Sequence, residues 1–232
     1  SQHGVIDVNG DGWIDLVQIG MGAAWVYWNE GELEFSPPEP IYVEQQWPMV
    51  QLGSMAWGDM DGDGDLDVLL TGLEVRGKEP SEDGLPLGHP EILLRNDEGQ
   101  FEPIAELSPN GTSGVNITAT FTDRDGDGDQ DLLVPADFGQ IMADLPPSAF
   151  YRNDGLDNAG LPIWFNDAPE IGADVHMSSM GLVTGDWNND LQFDYCISDI
   201  GPVLCLMSQS DGNYYEGGVA LGLQASSTDD PD

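Results

Sequence analysis

The sequence predicts an all-β, β-propeller-like fold of four four-stranded antiparallel blades, with an acidic loop between the first and second strands of each. Three observations carry this. A nonapeptide of the form D-x-[DN]-x-D-G-x-x-D recurs four times, with Leu191 in the glycine place of the last copy. Short apolar, strand-like runs flank every copy. Glycine (30) and proline (16) are abundant among 232 residues, which favours many turns over long helices.

The copies begin at Asp7, Asp59, Asp123 and Asp186, so the repeat is about 50 to 65 residues long. Strand-like segments precede three of the loops ("SMAWGD", "TATFTD", "GLVTGD"). Others follow all four ("DLVQIG", "DVLLTG", "DLLVPA", "DYCISD"). A third strand then runs into a turn, and an aromatic residue opens a fourth. These stretches are "WVYWNEGELEF" (25–35), "ILLRNDEGQF" (92–101), "FYRNDG" (150–155) leading to "IWF" (163–165), and "LMSQSDGNYY" (206–215). N-D-x-G and S-D-G are hairpin turn chemistry. The chain is read as one domain or propeller segment, with repeats over about 1–46, 47–112, 113–174 and 175–232.

Charge sharpens the reading. Forty-three Asp and Glu face five Lys and Arg, for a formal charge of −38. Such a chain is repelled by nucleic acid and by anionic membranes. No apolar run reaches the ~18–20 residues that span a bilayer, so membrane insertion is not expected. No signal peptide is visible in the opening "SQHG".

Clustered aspartates raise one another's pKa and push a loop open unless a cation joins them. Ca²⁺ takes 6–8 oxygens, and this spacing supplies them. Carboxylates at positions 1, 3 and 5 point inward and glycine at 6 permits the turn. The position-7 carbonyl and a position-9 carboxylate close the shell. The expected ligands are Asp7, Asn9, Asp11, Trp13 and Asp15; Asp59, Asp61, Asp63, Asp65 and Asp67; Asp123, Asp125, Asp127, Asp129 and Asp131; and Asp186, Asn188, Asp190, Gln192 and Asp194. Four ions would bring −38 to −30. The fourth loop holds Leu191 where glycine is expected, which predicts a weak or distorted site. An EF-hand needs an acid at position 12. Gln18, Leu70, Val134 and Ile197 stand there instead.

The D-x-[DN]-x-D-G-x-x-D loop between strands, followed by Y/L-x-N-x-G-x-F, resembles the FG-GAP/VCBS repeat family. These are the calcium-loop blades of integrin α-chain propellers and of many secreted bacterial proteins. "SMAWGDMDGDGDLDVLL" (54–70) and "SSMGLVTGDWNNDLQFDYCISD" (178–199) resemble the family pattern closely, and "GMGAAWVYW" (20–28) is similar to its Gly-rich segment. The resemblance covers nearly the whole chain. It implies a propeller, calcium at the matching positions and an extracellular setting, and little about the ligand. Leu191 and the blade count depart from it, since family propellers usually have about seven blades.

A hairpin centred on Ile200–Gly201 would place Cys196 opposite Cys205. A disulfide there suits an oxidising exterior; two buried free thiols are the other reading. His3, His89 and His176 show no metal-like spacing, and no nucleophile, zinc-protease or phosphate-loop motif is present. The chain is not expected to be an enzyme. The insert 72–90, with Arg76 and Lys78, is either a surface loop or a recognition loop. Trp13 and Trp187 either pack between blades or stack on sugars, and "NGT" (110–112) and "NIT" (116–118) match N-glycosylation acceptors.

The chain opens on a first strand and ends on an outer strand plus a linker. A compact ring, a piece of a larger propeller and head-to-tail assembly all remain open. The functional expectation is a calcium-stabilised extracellular or cell-surface module, for adhesion or scaffolding. Its partner would be a protein or glycan at the loop face, or copies of itself. A lectin-like propeller and a non-catalytic part of a secreted enzyme are the alternatives.

Overall fold

The computed structural model describes residues 2–20, 22–44, 50–75, 90–107, 115–137 and 146–223. These residues build four four-stranded antiparallel sheets. The first holds β1 (Gln2–Ile6), β2 (Asp15–Ile19), β3 (Ala23–Tyr27) and β6 (Glu39–Val43), and between its last two strands a ribbon of β4 (Asn29–Gly31) and β5 (Glu34–Phe35) stands apart. The second holds β7 (Val50–Gly58), β8 (Asp67–Val75), β9 (Glu91–Asp97) and β10 (Gln100–Leu107). The third holds β11 (Thr120–Thr122), β12 (Asp131–Val134), β13 (Ala149–Leu156) and β14 (Pro162–Asn166). The fourth holds β15 (Ser179–Gly185), β16 (Asp194–Asp199), β17 (Leu204–Ser208) and β18 (Tyr214–Glu216). Each acidic loop joins the first and second strands of its sheet, as the sequence predicts.

Period-2 alternation decides which sheets touch. Val17, Ile19 and Val26 of the first sheet pack against Val68, Leu70, Ile92 and Leu94 of the second. Leu69 and Leu93 turn the opposite way and meet Leu132, Val134, Ala149 and Tyr151 of the third. Leu133 and Phe150 then meet Tyr195, Ile197 and Leu206 of the fourth. Each middle sheet is therefore apolar on both faces, and the sheets stack in chain order. On the far face of the fourth sheet Cys196, Cys205 and Met207 cluster among themselves. Among the described residues no apolar cluster joins the fourth sheet to the first.

Two elements differ from expectation. The sequence starts the fourth strand of the first repeat at the aromatic Phe35, but β6 takes that position beside β3. The Trp28 and Asn29 amides are drawn to the Ser36 hydroxyl and the Asp15 carboxylate, which ends β3. The chain then turns back at Glu32 and Leu33, both at positive φ. Pro40 is tolerated in β6 because that strand is an edge. Between β14 and β15, α1 (Ala168–Ile171) forms one helical turn that ends at left-handed Gly172 and buries Ala168 and Ile171.

Cys196 pairs with Cys205 across β16 and β17, with Cα atoms 4.1 Å apart, and the two form a disulfide. Closing so short a loop contributes about 2–3 kcal/mol through the unfolded chain. Reduction is expected to lower unfolding stability by that amount, read from urea denaturation with and without dithiothreitol. An unchanged midpoint would show the bond adds nothing.

A buried carboxylic acid lies at the second and third sheets. Glu91 is fully buried; its Oε1 accepts from Asn116 Nδ2, and its Oε2 has no partner among the described residues. Asn116 is therefore buried and occupied, which removes "NIT" as a glycan acceptor; "NGT" lies outside the described residues. Burial raises the Glu91 pKa from 4.5 to about 7. The folded chain then keeps a proton that the unfolded chain releases, so stability falls as pH rises from about 4.5 to about 7. In a metal-free buffer Glu91→Gln is expected to remove about 2–3 kcal/mol of that decline. Urea melts at pH 5 and pH 8 measure it, and equal slopes for both proteins would refute the assignment.

Candidate metal centres

Each loop winds through two left-handed residues. Position 4 is Gly10, Gly62, Gly126 or Asn189, at φ between 60° and 75°. Position 6 is Gly12, Gly64, Gly128 or Leu191, at φ between 67° and 100°. The sequence pattern points to position 6; the first glycine of "NGDG" and "DGDG" is the signal for position 4. Leu191 adopts the turn despite its side chain, which is 94% exposed and meets no obstacle. The fourth loop is thus wound like the others rather than distorted, at a strain of about 1 kcal/mol.

The turn lets the first aspartate collect backbone amides. Asp7 accepts from Asp11 (3.1 Å) and Gly12 (2.9 Å), and Asp186 accepts from Asp190 and Leu191, both at 3.0 Å. Asp59 accepts from Gly62, Asp63 and Gly64, and Asp123 from Gly126. The position-5 carboxylate takes the position-7 amide in all four copies, at 2.8 or 2.9 Å. Trp13, Asp65, Asp129 and Gln192 thereby lie on the loop through their backbone.

In the second loop, carboxylate oxygens of Asp59, Asp61 and Asp67 lie within 4.8 Å of one another. In the third, those of Asp123, Asp125 and Asp127 do so. Asp61 Oδ1 is buried and has no hydrogen-bond partner among the described residues. Burial, reinforced by Asp63, raises the Asp61 pKa; burial and Asp127 do the same for Asp125. A cation among these oxygens would relieve both penalties, so the residues fit a divalent ion that takes oxygen ligands. The first and fourth loops carry Asn9 and Asn188 at position 3, and their carboxamides bond Asp11 and Asp190 directly. Against a desolvation penalty, donors from Gln192, Asn188 and Ser208 hold the Asp190 pKa below its ordinary value. These two loops are less strained as they stand.

The ninth-position aspartates do more than the spacing suggests. Asp15, Asp67, Asp131 and Asp194 are fully buried. One oxygen of each accepts the position-2 amide of its own loop: Val8, Met60, Arg124 or Trp187, at 2.9 or 3.0 Å. The other accepts the amide closing the third strand: Asn29, Asn96, Asn153 or Ser208, at 2.8 or 2.9 Å. Burial raises Asp67 to about 7 and Asp131 to about 6, against the pull of these amides.

Sequence reasoning missed the role of the third-strand asparagines, although N-D-x-G marked their place. Asn96 Nδ2 donates to the Val8 carbonyl of the preceding loop (2.8 Å) and to Leu66 O of its own (3.1 Å). Asn153 Nδ2 donates likewise to Met60 O at 2.9 Å. At the third–fourth junction Ser208 replaces asparagine, and the Thr122 and Tyr195 hydroxyls bond across it at 2.8 Å. Within the third repeat Arg124 pairs with Asp167 at 2.8 Å and lies 5.0 Å over the Phe150 ring. Trp13 and Trp187 are 52% and 39% exposed. Residues 76–89, most of the insert with Arg76 and Lys78, lie outside the described residues.

A family model described as "FG-GAP-like repeat" matches residues 7–70. No curated protein matches. Among solved structures, the rhamnogalacturonan lyase YesW superposes with a TM-score of 0.52 at 15% identity, covering 94% of this chain. The chain spans 42% of the lyase's length, so the likeness concerns the fold. An Agrocybe aegerita lectin that recognises non-reducing terminal N-acetylglucosamine aligns over 97% of this chain and 69% of its own. Its identity is 16% and its TM-score 0.36, too loose to carry an argument. The fold is all-β, its four four-stranded antiparallel sheets are consistent with a propeller-like arrangement, and residues 7–70, spanning the first two acidic loops, match an FG-GAP-like repeat.

Proposed function

We propose that the chain is a calcium-stabilised, propeller-type structural or interaction module of an extracellular or cell-surface protein, with up to four Ca²⁺. The convergence of Asp59, Asp61 and Asp67, with Asp61 Oδ1 buried and unpartnered among the described residues, carries this reading. The third loop supports it through Asp123, Asp125 and Asp127. Positions 1, 3, 5 and 9 supply side-chain oxygens, and position 7 its carbonyl. The ion neutralises the acids and locks the first two strands of each sheet. Acids so engaged serve the fold, and the reading assigns them no catalysis.

The disulfide and the FG-GAP-like repeat suit an oxidising, calcium-rich exterior. No helix among the described residues is long and apolar enough to cross a membrane. Extracellular modules bind Ca²⁺ with Kd of about 10⁻⁴–10⁻³ M, so the sites fill outside cells. Isothermal titration with CaCl₂ is expected to show binding in that range. No binding at about 10 mM, some tenfold above it, would overturn the proposal.

One observation favours assembly as a second reading. The far face of the fourth sheet leaves Val183, Trp187, Leu221 and Leu223 between 38% and 58% exposed. Light scattering separates the readings: a mass of 25.0 kDa excludes self-association.

A further inference from the structure

The first three loops are joined by one line of hydrogen bonds that crosses both intervening sheet contacts. It starts at Asp15, whose Oδ2 holds the Val8 amide at 3.0 Å. The Val8 carbonyl receives Asn96 Nδ2 at 2.8 Å, and the Asn96 amide donates to Asp67 Oδ1 at 2.8 Å. Asp67 Oδ2 holds the Met60 amide at 2.9 Å, and the Met60 carbonyl receives Asn153 Nδ2 at 2.9 Å. The Asn153 amide ends the line on Asp131 Oδ1 at 2.9 Å. Both asparagines are almost fully buried, and their carbonyls are occupied too, by the Gly99 and Gly155 amides.

The line stops before the fourth loop. Ser208 stands where the next asparagine would be, and its hydroxyl turns back onto Asp194 (2.7 Å) and Asp190 (3.0 Å) of its own loop. That hydroxyl is too short to reproduce a carboxamide's two-way reach.

We infer that Asn96 and Asn153 are positioning residues that couple ion binding among the first three loops, and that the fourth loop fills independently. The inference rests on the calcium reading above. An ion held by Asp59, Asp61 and Asp67 fixes the Asp67 carboxylate, which already grips the Met60 and Asn96 amides. Through the two carboxamides, the same event restrains residue 8 on one side and the Asp131 clasp on the other. The next ion then meets a loop whose ordering cost is partly met, which is positive cooperativity.

Nitrogen–proton NMR on the full chain, titrated with CaCl₂, reads the loops separately. Gly10, Gly62 and Gly126 report the first three, and the Leu191 amide reports the fourth. In the wild type the three glycines are expected to shift together along one curve steeper than single-site binding, with Leu191 on its own. In Asn96→Ser/Asn153→Ser the three glycine curves are expected to separate and become single-site. Their midpoints should weaken by about fivefold or more, while Leu191 keeps its midpoint.

No shift at any loop would remove the calcium reading itself. Shifts along independent single-site curves in the wild type would overturn the coupling and leave that reading standing. A steep common curve that survives both substitutions would overturn the role of the asparagines. Should the double variant fail to fold, Asn153→Ser alone is expected to release Gly126 while Gly10 and Gly62 still move together.

Discussion

Chelation with EDTA is expected to lower the melting temperature by more than about 10 °C relative to about 10 mM Ca²⁺, the largest effect foreseen for this chain. With Kd near 10⁻⁴–10⁻³ M, each filled site contributes about 1.5–2.5 kcal/mol through preferential binding to the folded state. Four sites together contribute about 6–10 kcal/mol. For a chain of this length each kcal/mol moves the midpoint by about 2–4 °C. The strain that an ion would relieve is visible in Asp61 and Asp125, both pushed toward protonation by burial and by a neighbouring aspartate. Mg²⁺ demands near-ideal octahedral geometry and gives up water reluctantly, so the same concentration is expected to restore less. Calorimetry in EDTA, Ca²⁺ and Mg²⁺ measures all three. Superimposable scans would eliminate the metal from any account of stability.

Asp67→Ala is expected to cost about 3–5 kcal/mol even in EDTA, because the Asp67 carboxylate is a structural clasp before it is a ligand. Its two oxygens receive the Met60 and Asn96 amides at 2.9 and 2.8 Å, and the residue is fully buried. Alanine leaves two buried donors unsatisfied, each at about 1–3 kcal/mol, and a void beside Met60. Asp63→Ala is the contrasting case. Asp63 is exposed and its carboxylate serves the Asp65 amide, so its loss is expected to change EDTA stability by less than about 1 kcal/mol. In Ca²⁺ the ranking is expected to narrow, since under the calcium proposal both variants lose a ligand of the second loop. Urea denaturation of the two variants with and without Ca²⁺ gives the four values. Equal losses in EDTA would show that position 9 acts only through the ion.

The loops were legible because their chemistry is local. Nine residues carry the whole acid pattern, and the flanking apolar runs carry the period of two. The Cys196–Cys205 pair was legible for a related reason: a hairpin register is simple counting once the turn is placed. The backbone at Leu191 is not legible in the sequence, because a propensity argument sees the cost of a left-handed leucine but not the open solvent around it. The setting of Asn116 was not legible, because a three-residue glycan motif carries no sign of the buried Glu91 it faces. The outer strand of the first sheet was misplaced because two turn signals stand close together, at residues 29–33 and at Pro37–Pro38.

From its residues alone the chain declared strands, turns and four acidic bends, since each depends on neighbours within about ten positions. Which sheet faces which, and what binds one bend to the next, emerged only when the sheets stacked. Asn96 reaches a carbonyl 88 residues away and Asn153 one 93 residues away, and Arg124 finds Asp167 across 43. Partnerships over such separations are chosen by burial, where an unmet amide or charge is costly, and burial belongs to the assembled fold.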